Sequence, residues 1–225
     1  MAEVLPDEPE AVRSFESALT LSLLDSVQSG VFRSVYRGVP FQKSPFDIAL
    51  YLQLFSHQPP RTVIEIGTKF GGSALWFADT LTAHGCSDAR VISVDIDPVS
   101  TVVDARIMFL KGDAKRLGEA LPDSLLSSLP RPFLVIEDAS HLYEDSLAVL
   151  EFFHPWLTQG EHLVVEDGVI AHFSDGRYSK LKDGPNRAVR QFLAAFPGCY
   201  EVDVDLCDHF GRNVTYNPNG WLRRL

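Results

Sequence analysis

The chain has 225 residues, of which 45% are hydrophobic and 22% charged, enough for one well-buried domain and too few for two large ones. Its formal net charge of −10 argues against nucleic acid as the main partner, because phosphate-binding surfaces need clustered Lys and Arg and no basic stripe occurs. No apolar run approaches a membrane span, and the acidic start (Glu3, Asp7, Glu8, Glu10) is unlike a signal or transit peptide, so a soluble, cytoplasmic protein is expected.

Residues 1–10 read as a loose tail, followed by an amphipathic helix from about Val12 to Gln28 with apolar residues at Val12, Phe15, Leu19 and Leu23, ended by Gly30. Gly38, Pro40 and Pro45 break the next stretch, so Tyr36 to Pro45 should be an ordered loop rather than a regular element. Ser44 is placed to cap a helix that Pro45 begins and that stops before Pro59. Residues 1–60 thus form an N-terminal helical extension and a substrate-side loop, which either covers the ligand edge of a sheet or serves as a packing arm in an oligomer. Residues 61–225 are expected to form the main domain.

That domain opens with a strand from Thr62, a glycine-rich turn and an amphipathic helix through Ala74, Leu75, Phe77, Ala78 and Leu81. Gly67 allows a sharp turn and close approach of a ligand, while Gly71 and Gly72, just before Ser73, allow tight packing at the helix start. The spacing Gly67-x-x-x-Gly71 is not the pattern of pyrophosphate-binding dehydrogenases. Glu65, two residues before the first glycine, suits a cationic ligand such as S-adenosylmethionine, whose amino group and sulfonium are both positive. The next strand, Val91 to Asp95, ends in an acid that can hold a ribose diol; alternatively, Asp95 or Asp97 caps a helix ahead of Pro98. A third strand, Arg106 to Leu110, leads to Asp113, a candidate acceptor for an adenine amino group.

Two apolar runs then end in acid: Phe133 to Asp138, followed by His141, and His162 to Asp167. Separated by a helix-length segment from Glu144 to Leu157 and a turn at Gly160, they make a β-α-β unit of buried parallel strands about 5 Å apart. Strand-end acids often serve as helix caps, but two adjacent ends together bring Asp138, Glu166 and Asp167 to one edge, where their repulsion calls for a cation or protons. Val169 to Asn186 has the composition of a mobile loop over a site. A helix from Arg187 to Phe196 precedes two last strands near Tyr200–Leu206 and Asn213–Asn217, a hairpin closed by a short turn. The result is an α/β fold: a seven-stranded, mostly parallel sheet with one antiparallel strand and helices on both faces. Cys86, Cys199 and Cys207 show no Cys-x-x-Cys spacing, so neither zinc nor a disulfide framework is suggested.

The glycine turn, the acid after the second strand and the terminal hairpin resemble the Rossmann-like fold of class I S-adenosylmethionine-dependent methyltransferases. More narrowly, Tyr36-Arg-Gly-Val-Pro40, Lys43-Ser-Pro-Phe-Asp47, Val63 to Thr68, Gly71 to Leu75, Asp138-Ala-Ser-His141, Val164-Val-Glu-Asp167, Asp183-Gly-Pro185 and Tyr216 to Arg223 resemble the cephalosporin hydroxylase/rhamnosyl O-methyltransferase family. The resemblance runs from about Val31 to Arg224. It implies a magnesium-dependent O-methyltransferase acting on a hydroxyl of a natural product, sugar or glycolipid, in an oligomeric assembly. In related macrolide sugar methyltransferases the residues matching Asp138, Glu166 and Asp167 hold the metal, and the one matching His141 is the general base. No evident motif supplies an iron triad of two His and a carboxylate, so the hydroxylase attribution is not carried over.

The chemistry this implies is simple. A cation on the carboxylates lowers the pKa of the acceptor hydroxyl and orients it, His141 takes its proton, and a vicinal diol chelates best. Two other classes fit the same sheet. One is a nicotinamide oxidoreductase, which the glycine spacing suits poorly, and the other a non-catalytic partner subunit that binds the cofactor alone.

Overall fold

A computed structural model describes residues 13–97 and 100–225; the predicted tail, the Val12 helix start and Pro98, ahead of which Asp95 or Asp97 was the alternative cap, lie outside it. The first helix, α1, is Leu21–Val31, not Val12 to Gln28. Ahead of it, Ser17 Oγ donates to Asn213 O (2.6 Å) and Ala18 N to Arg212 O (2.9 Å), which straps this stretch to a distant loop. Thr20, whose side chain accepts from Leu23 N, sets the start. Polar bonding and a cap overrode the apolar spacing, and Gly30 lies within the helix.

Tyr36 to Pro45 also departs from expectation. β1 (Val35–Tyr36) pairs antiparallel with β2 (Val39–Pro40) across Arg37 and Gly38. Both turn residues are left-handed, at φ 50° and 82°, the combination a two-residue hairpin requires. α2 (Pro45–His57) is capped by Ser44, which accepts from Asp47 N at 3.2 Å.

The main sheet follows. In chain order come β3 (Thr62–Ile66), α3 (Gly72–Ala83), β4 (Arg90–Asp95), β5 (Ile107–Lys111), α4 (Leu117–Ala120), α5 (Asp123–Leu126), β6 (Phe133–Glu137), α6 (Tyr143–Phe153), β7 (His162–Val165), α7 (Gly184–Ala195), β8 (Tyr200–Val202), α8 (Val204–Cys207) and β9 (Trp221–Arg224). Seven strands stand in the order β5-β4-β3-β6-β7-β9-β8, with β9 antiparallel to both its neighbours. Adjacent residues of the strands face opposite layers. Val63, Val91 and Leu134 join Leu50, Tyr51 and Phe55 of α2 and Phe77 of α3 in one core cluster. Ile64, Ile92 and Val135 face a second, with Leu150 and Phe153 of α6 and Val189 and Phe192 of α7.

The terminal hairpin is built differently from the expectation. Asn213 to Asn217 is not a strand; the last strand is Trp221–Arg224, reached through α8 and a long buried connection. Asn213 and Asn219 take left-handed φ of 48° and 53° and are buried, so their amides organise a loop in which a strand is sterically unsuited. Trp221 and Leu222 are fully buried and supply the strand. Between β7 and α7, Gly168–His172 forms a 3₁₀ helix, and α7 begins at Gly184 rather than Arg187. Val169 and Phe173 from this segment pack with Leu19, Leu24 and Val31, so α1 and the segment after β7 form one wall. Among the described residues no helix is long and apolar enough to cross a membrane.

Candidate active site

The carboxyl ends of four parallel strands are tied in sequence: Gly67 N donates to Val94 O (2.8 Å), Asp138 N to Ile66 O (2.8 Å) and Glu166 N to Glu137 O (2.9 Å). Their acids therefore share one edge, where an open α/β sheet binds ligands. Gly67 has φ +115°, and a Cβ there would lie 1.9 Å from Asp138 O, so only glycine lets the turn after β3 meet the end of β6. A cleft of about 530 Å³ runs from Asp95 and Asp113 past Gly67 and Ser73 to Asp138, His141 and Asp167. Val31 and Phe32 of the α1 end, with Tyr178 and Tyr216, also line it. That volume is typical of a small-molecule site.

In the acid corner, Asp138, His141 and Asp167 each offer a ligand atom within 4.8 Å of the others. His141 Nε2 stands 3.4 Å from Asp167 Oδ2. Both residues are left-handed at φ 58°, an uncommon conformation for side chains other than glycine, so their surroundings must hold them. Gly184 of α7 abuts His141 O, where a Cβ would come within 2.4 Å, and Asp167 N donates to Asn217 Oδ1 at 3.0 Å. Burial pushes the Asp138 and Asp167 carboxyls above their usual range against the pull of Lys43 and His141. Burial opposes charge on His141 as well, but Asp167 and Asp138 outweigh it and its pKa lies above the ordinary value. Oxygen donors of this density, with a net negative charge, fit a hard divalent cation.

Not every predicted site residue reaches the cleft. Glu65 is fully buried beneath it, accepting from Ser93 Oγ at 2.7 Å. Gly71 is the left-handed N-cap of α3, behind the wall. Glu166 is buried too: it accepts from Tyr51 OH at 2.6 Å and from Lys43 Nζ. Ser73 lies in the lining. Asp95 lines the cleft with Oδ2 already accepting from Lys69 N (2.8 Å), and Asp113 does so while capping a short 3₁₀ turn through Lys115 N (2.9 Å). Sequence reasoning gave no role to Lys43, Asp47, Tyr51 or Asn217. Asp47 and Tyr51, four residues apart in α2, share one helical face, which was a signal for those two; Lys43 lies just before the Ser44 cap.

Asp47 illustrates how deep this support goes. Its carboxylate accepts from Tyr216 N (3.0 Å) and from Thr215 Oγ1, fixing the loop that carries Asn217. Burial pushes its pKa from 3.8 up to about 7. A folded pKa above the unfolded one means that the contribution to stability is full below the unfolded value and lost as pH rises through about 7. Asp47→Asn should therefore gain on the unaltered protein by roughly 1.4 kcal/mol for each pH unit crossed within that window, read by urea unfolding across it. A constant difference would count against a protonated Asp47.

The sheet order, with its single antiparallel strand, and the cleft at the strand ends define a Rossmann-like class I methyltransferase fold. The chain belongs to the Rhamnosyl O-methyltransferase/CmcI family, whose model matches residues 30–225. It is 32% identical over 197 residues to a rhamnosyl O-methyltransferase of Mycobacterium leprae, covering 85% of this chain and 83% of the relative. The corresponding enzyme of Mycobacterium tuberculosis (strain ATCC 25618 / H37Rv) is 30% identical over 200 residues, with 85% and 78% covered. Among solved structures, CmcI with Mg and SAM superimposes with a TM-score of 0.64 at 23% identity, over 99% of this chain and 89% of that one. Cofactor-bound Rv0187 gives 0.52 at 18% identity, over 80% and 79%. These two likenesses carry the fold.

Proposed function

We propose that the protein is an S-adenosylmethionine- and Mg²⁺-dependent O-methyltransferase acting on a hydroxyl of a small natural product, sugar or glycolipid. The observation that carries the reading is the corner formed by Asp138, His141 and Asp167 at one end of a cleft floored by the Gly67 turn. Support comes also from rhamnosyl O-methyltransferase relatives and from CmcI with Mg and SAM.

In this reading the cofactor occupies the cleft between Asp95, Asp113 and Ser73, and the acceptor enters beside Phe32, Tyr178 and Tyr216. Asp138 and Asp167 hold the cation, with Glu166 as the third acid of the predicted set. Bound there, a divalent ion supplies Lewis acidity that makes an acceptor hydroxyl easier to deprotonate. His141 takes the hydroxyl proton at Nε2, the ring nitrogen that faces Asp167. The walls from α1 and the 3₁₀ helix exclude water, and the fixed strand ends orient the acceptor oxygen for in-line attack.

Titration with S-adenosylhomocysteine and NADH, then methyl transfer to a panel of catechols and sugars with and without EDTA, tests this. Binding of the homocysteine compound alone and transfer abolished by EDTA are expected. Preference for NADH would make the protein an oxidoreductase, cofactor binding without transfer a partner subunit, and transfer indifferent to EDTA would remove the cation.

A further inference from the structure

The cleft proposed for the cofactor is strongly acidic. Five aspartates line it, Asp95, Asp113, Asp138, Asp145 and Asp167, against two lysines, Lys43 and Lys69. Lys43 is buried and committed, its Nζ donating to Asp138 Oδ2 (2.6 Å) and to Glu166 Oε2. Lys69 is not: among the described residues the lysines in ion pairs are Lys43 and Lys115. Its Nζ donates to a neutral oxygen, Gln42 Oε1, at 2.6 Å and stands 5.7 Å from the centroid of the Phe70 ring. The residue is held at both ends. Its backbone is left-handed at φ 46°, and Lys69 N donates to Asp95 Oδ2 at 2.8 Å, while Gln42, also in the lining, engages the tip of the side chain. Lys69 therefore spans from the acid proposed for the ribose to the loop ahead of α2.

We infer that Lys69 binds the α-carboxylate of the cofactor, as the counter-ion that lets its amino-acid end settle among aspartates. The inference rests on the proposed placement of S-adenosylmethionine between Asp95, Asp113 and Ser73. The ammonium and sulfonium of that molecule suit an acidic cleft, but its carboxylate is repelled there unless a cation stands beside it. An ammonium held only by an amide oxygen readily exchanges that partner for a carboxylate, because a hydrogen bond between charged groups is about twice as strong as a neutral one. The lysine stem is flexible and its three donors rotate, so a small movement of the tip suffices. Gln42, released as an acceptor, has an amide N–H to offer the second carboxylate oxygen.

The test is calorimetric titration of the full chain with S-adenosylhomocysteine and with its decarboxylated analogue, which lacks only the carboxylate, in three proteins: unaltered, Lys69→Met and Lys69→Arg. The unaltered protein should bind S-adenosylhomocysteine about five- to tenfold more tightly than the analogue, the range for a charge pair at a site that solvent reaches. In Lys69→Met that preference should shrink to within about twofold or reverse, with S-adenosylhomocysteine weakened and the analogue bound as before, the coupling expected when one group answers the other. Lys69→Arg, which keeps the charge, should retain most of the preference. Equal weakening of both ligands in Lys69→Met would make the lysine a structural part of the turn, and no preference in the unaltered protein would remove the counter-ion. Either result overturns the inference and leaves the methyltransferase reading standing. Failure of the unaltered protein to bind S-adenosylhomocysteine overturns both. Should circular dichroism show Lys69→Met unfolded, Lys69→Gln, which loses the charge and keeps a polar tip, carries the same expectation.

Discussion

Replacing His141 with alanine should lower turnover by about 10²–10⁴-fold, the usual contribution of a positioned general base, while leaving affinity for S-adenosylhomocysteine nearly unchanged. His141 stands beside Asp138 and Asp167, apart from the Asp95 and Asp113 assigned to the cofactor, so its loss should remove the proposed proton acceptor and little of the proposed cofactor site. The rate of the unaltered enzyme should rise with pH as the imidazole loses its proton, and that limb should vanish in His141→Ala. Methyl transfer followed by chromatography gives the first quantity and calorimetry the second. Equal losses in rate and in cofactor affinity would falsify the proton-transfer role.

Gly67→Ala should cost about 2–5 kcal/mol of stability, the sum of a left-handed backbone penalty and an overpacked contact that cannot relax. The added methyl would meet Asp138 O at 1.9 Å and Asp138 C at 2.5 Å, both backbone atoms of an adjacent strand end. Cofactor binding should be lost with it, because the strand ends must part at the cleft floor. Gly85→Ala is the control for a positive φ without a contact: at +81° its backbone is also strained for alanine, though less than at Gly67, and nothing lies within 4 Å of the new Cβ. It should lose only about 1–2 kcal/mol, from backbone strain alone. If urea unfolding gives the two variants the same deficit, the close approach of Gly67 to Asp138 is not what demands glycine.

The inner sheet was readable because its strands are short apolar runs buried on both sides, and a run such as Phe133 to Glu137 has few other ways to bury itself. Parallel neighbours also fix which residues emerge at the same edge, which is why Asp138 and Asp167 are neighbours in the structure as in the sequence reading. Other features depend on partners far along the chain. α1 starts late because Ser17 and Ala18 bond to residues 212 and 213, and no local periodicity encodes that. The final strand was misplaced because Val214, Thr215 and Tyr216 have strand-like side chains, whereas the three buried asparagines at 213, 217 and 219 direct the backbone into a loop. Side-chain aim was the least legible: that Glu65 and Glu166 turn inward and that a lysine sits among the acids follow from packing around α2.

The strand latest in the sequence lies inside the sheet, with Trp221 beside Val164 and Glu201 beside Arg223. During synthesis the ribosome delivers β7 well before β9, so the strand bearing Glu166 and Asp167 waits with one side unpaired. Only when β9 slots in do Val165 N and Asp167 N find Gly220 O and Asn217 Oδ1. Such late, long-range closure slows folding and leaves an adhesive edge in the nascent chain, making chaperone supply and growth temperature the natural levers on its yield.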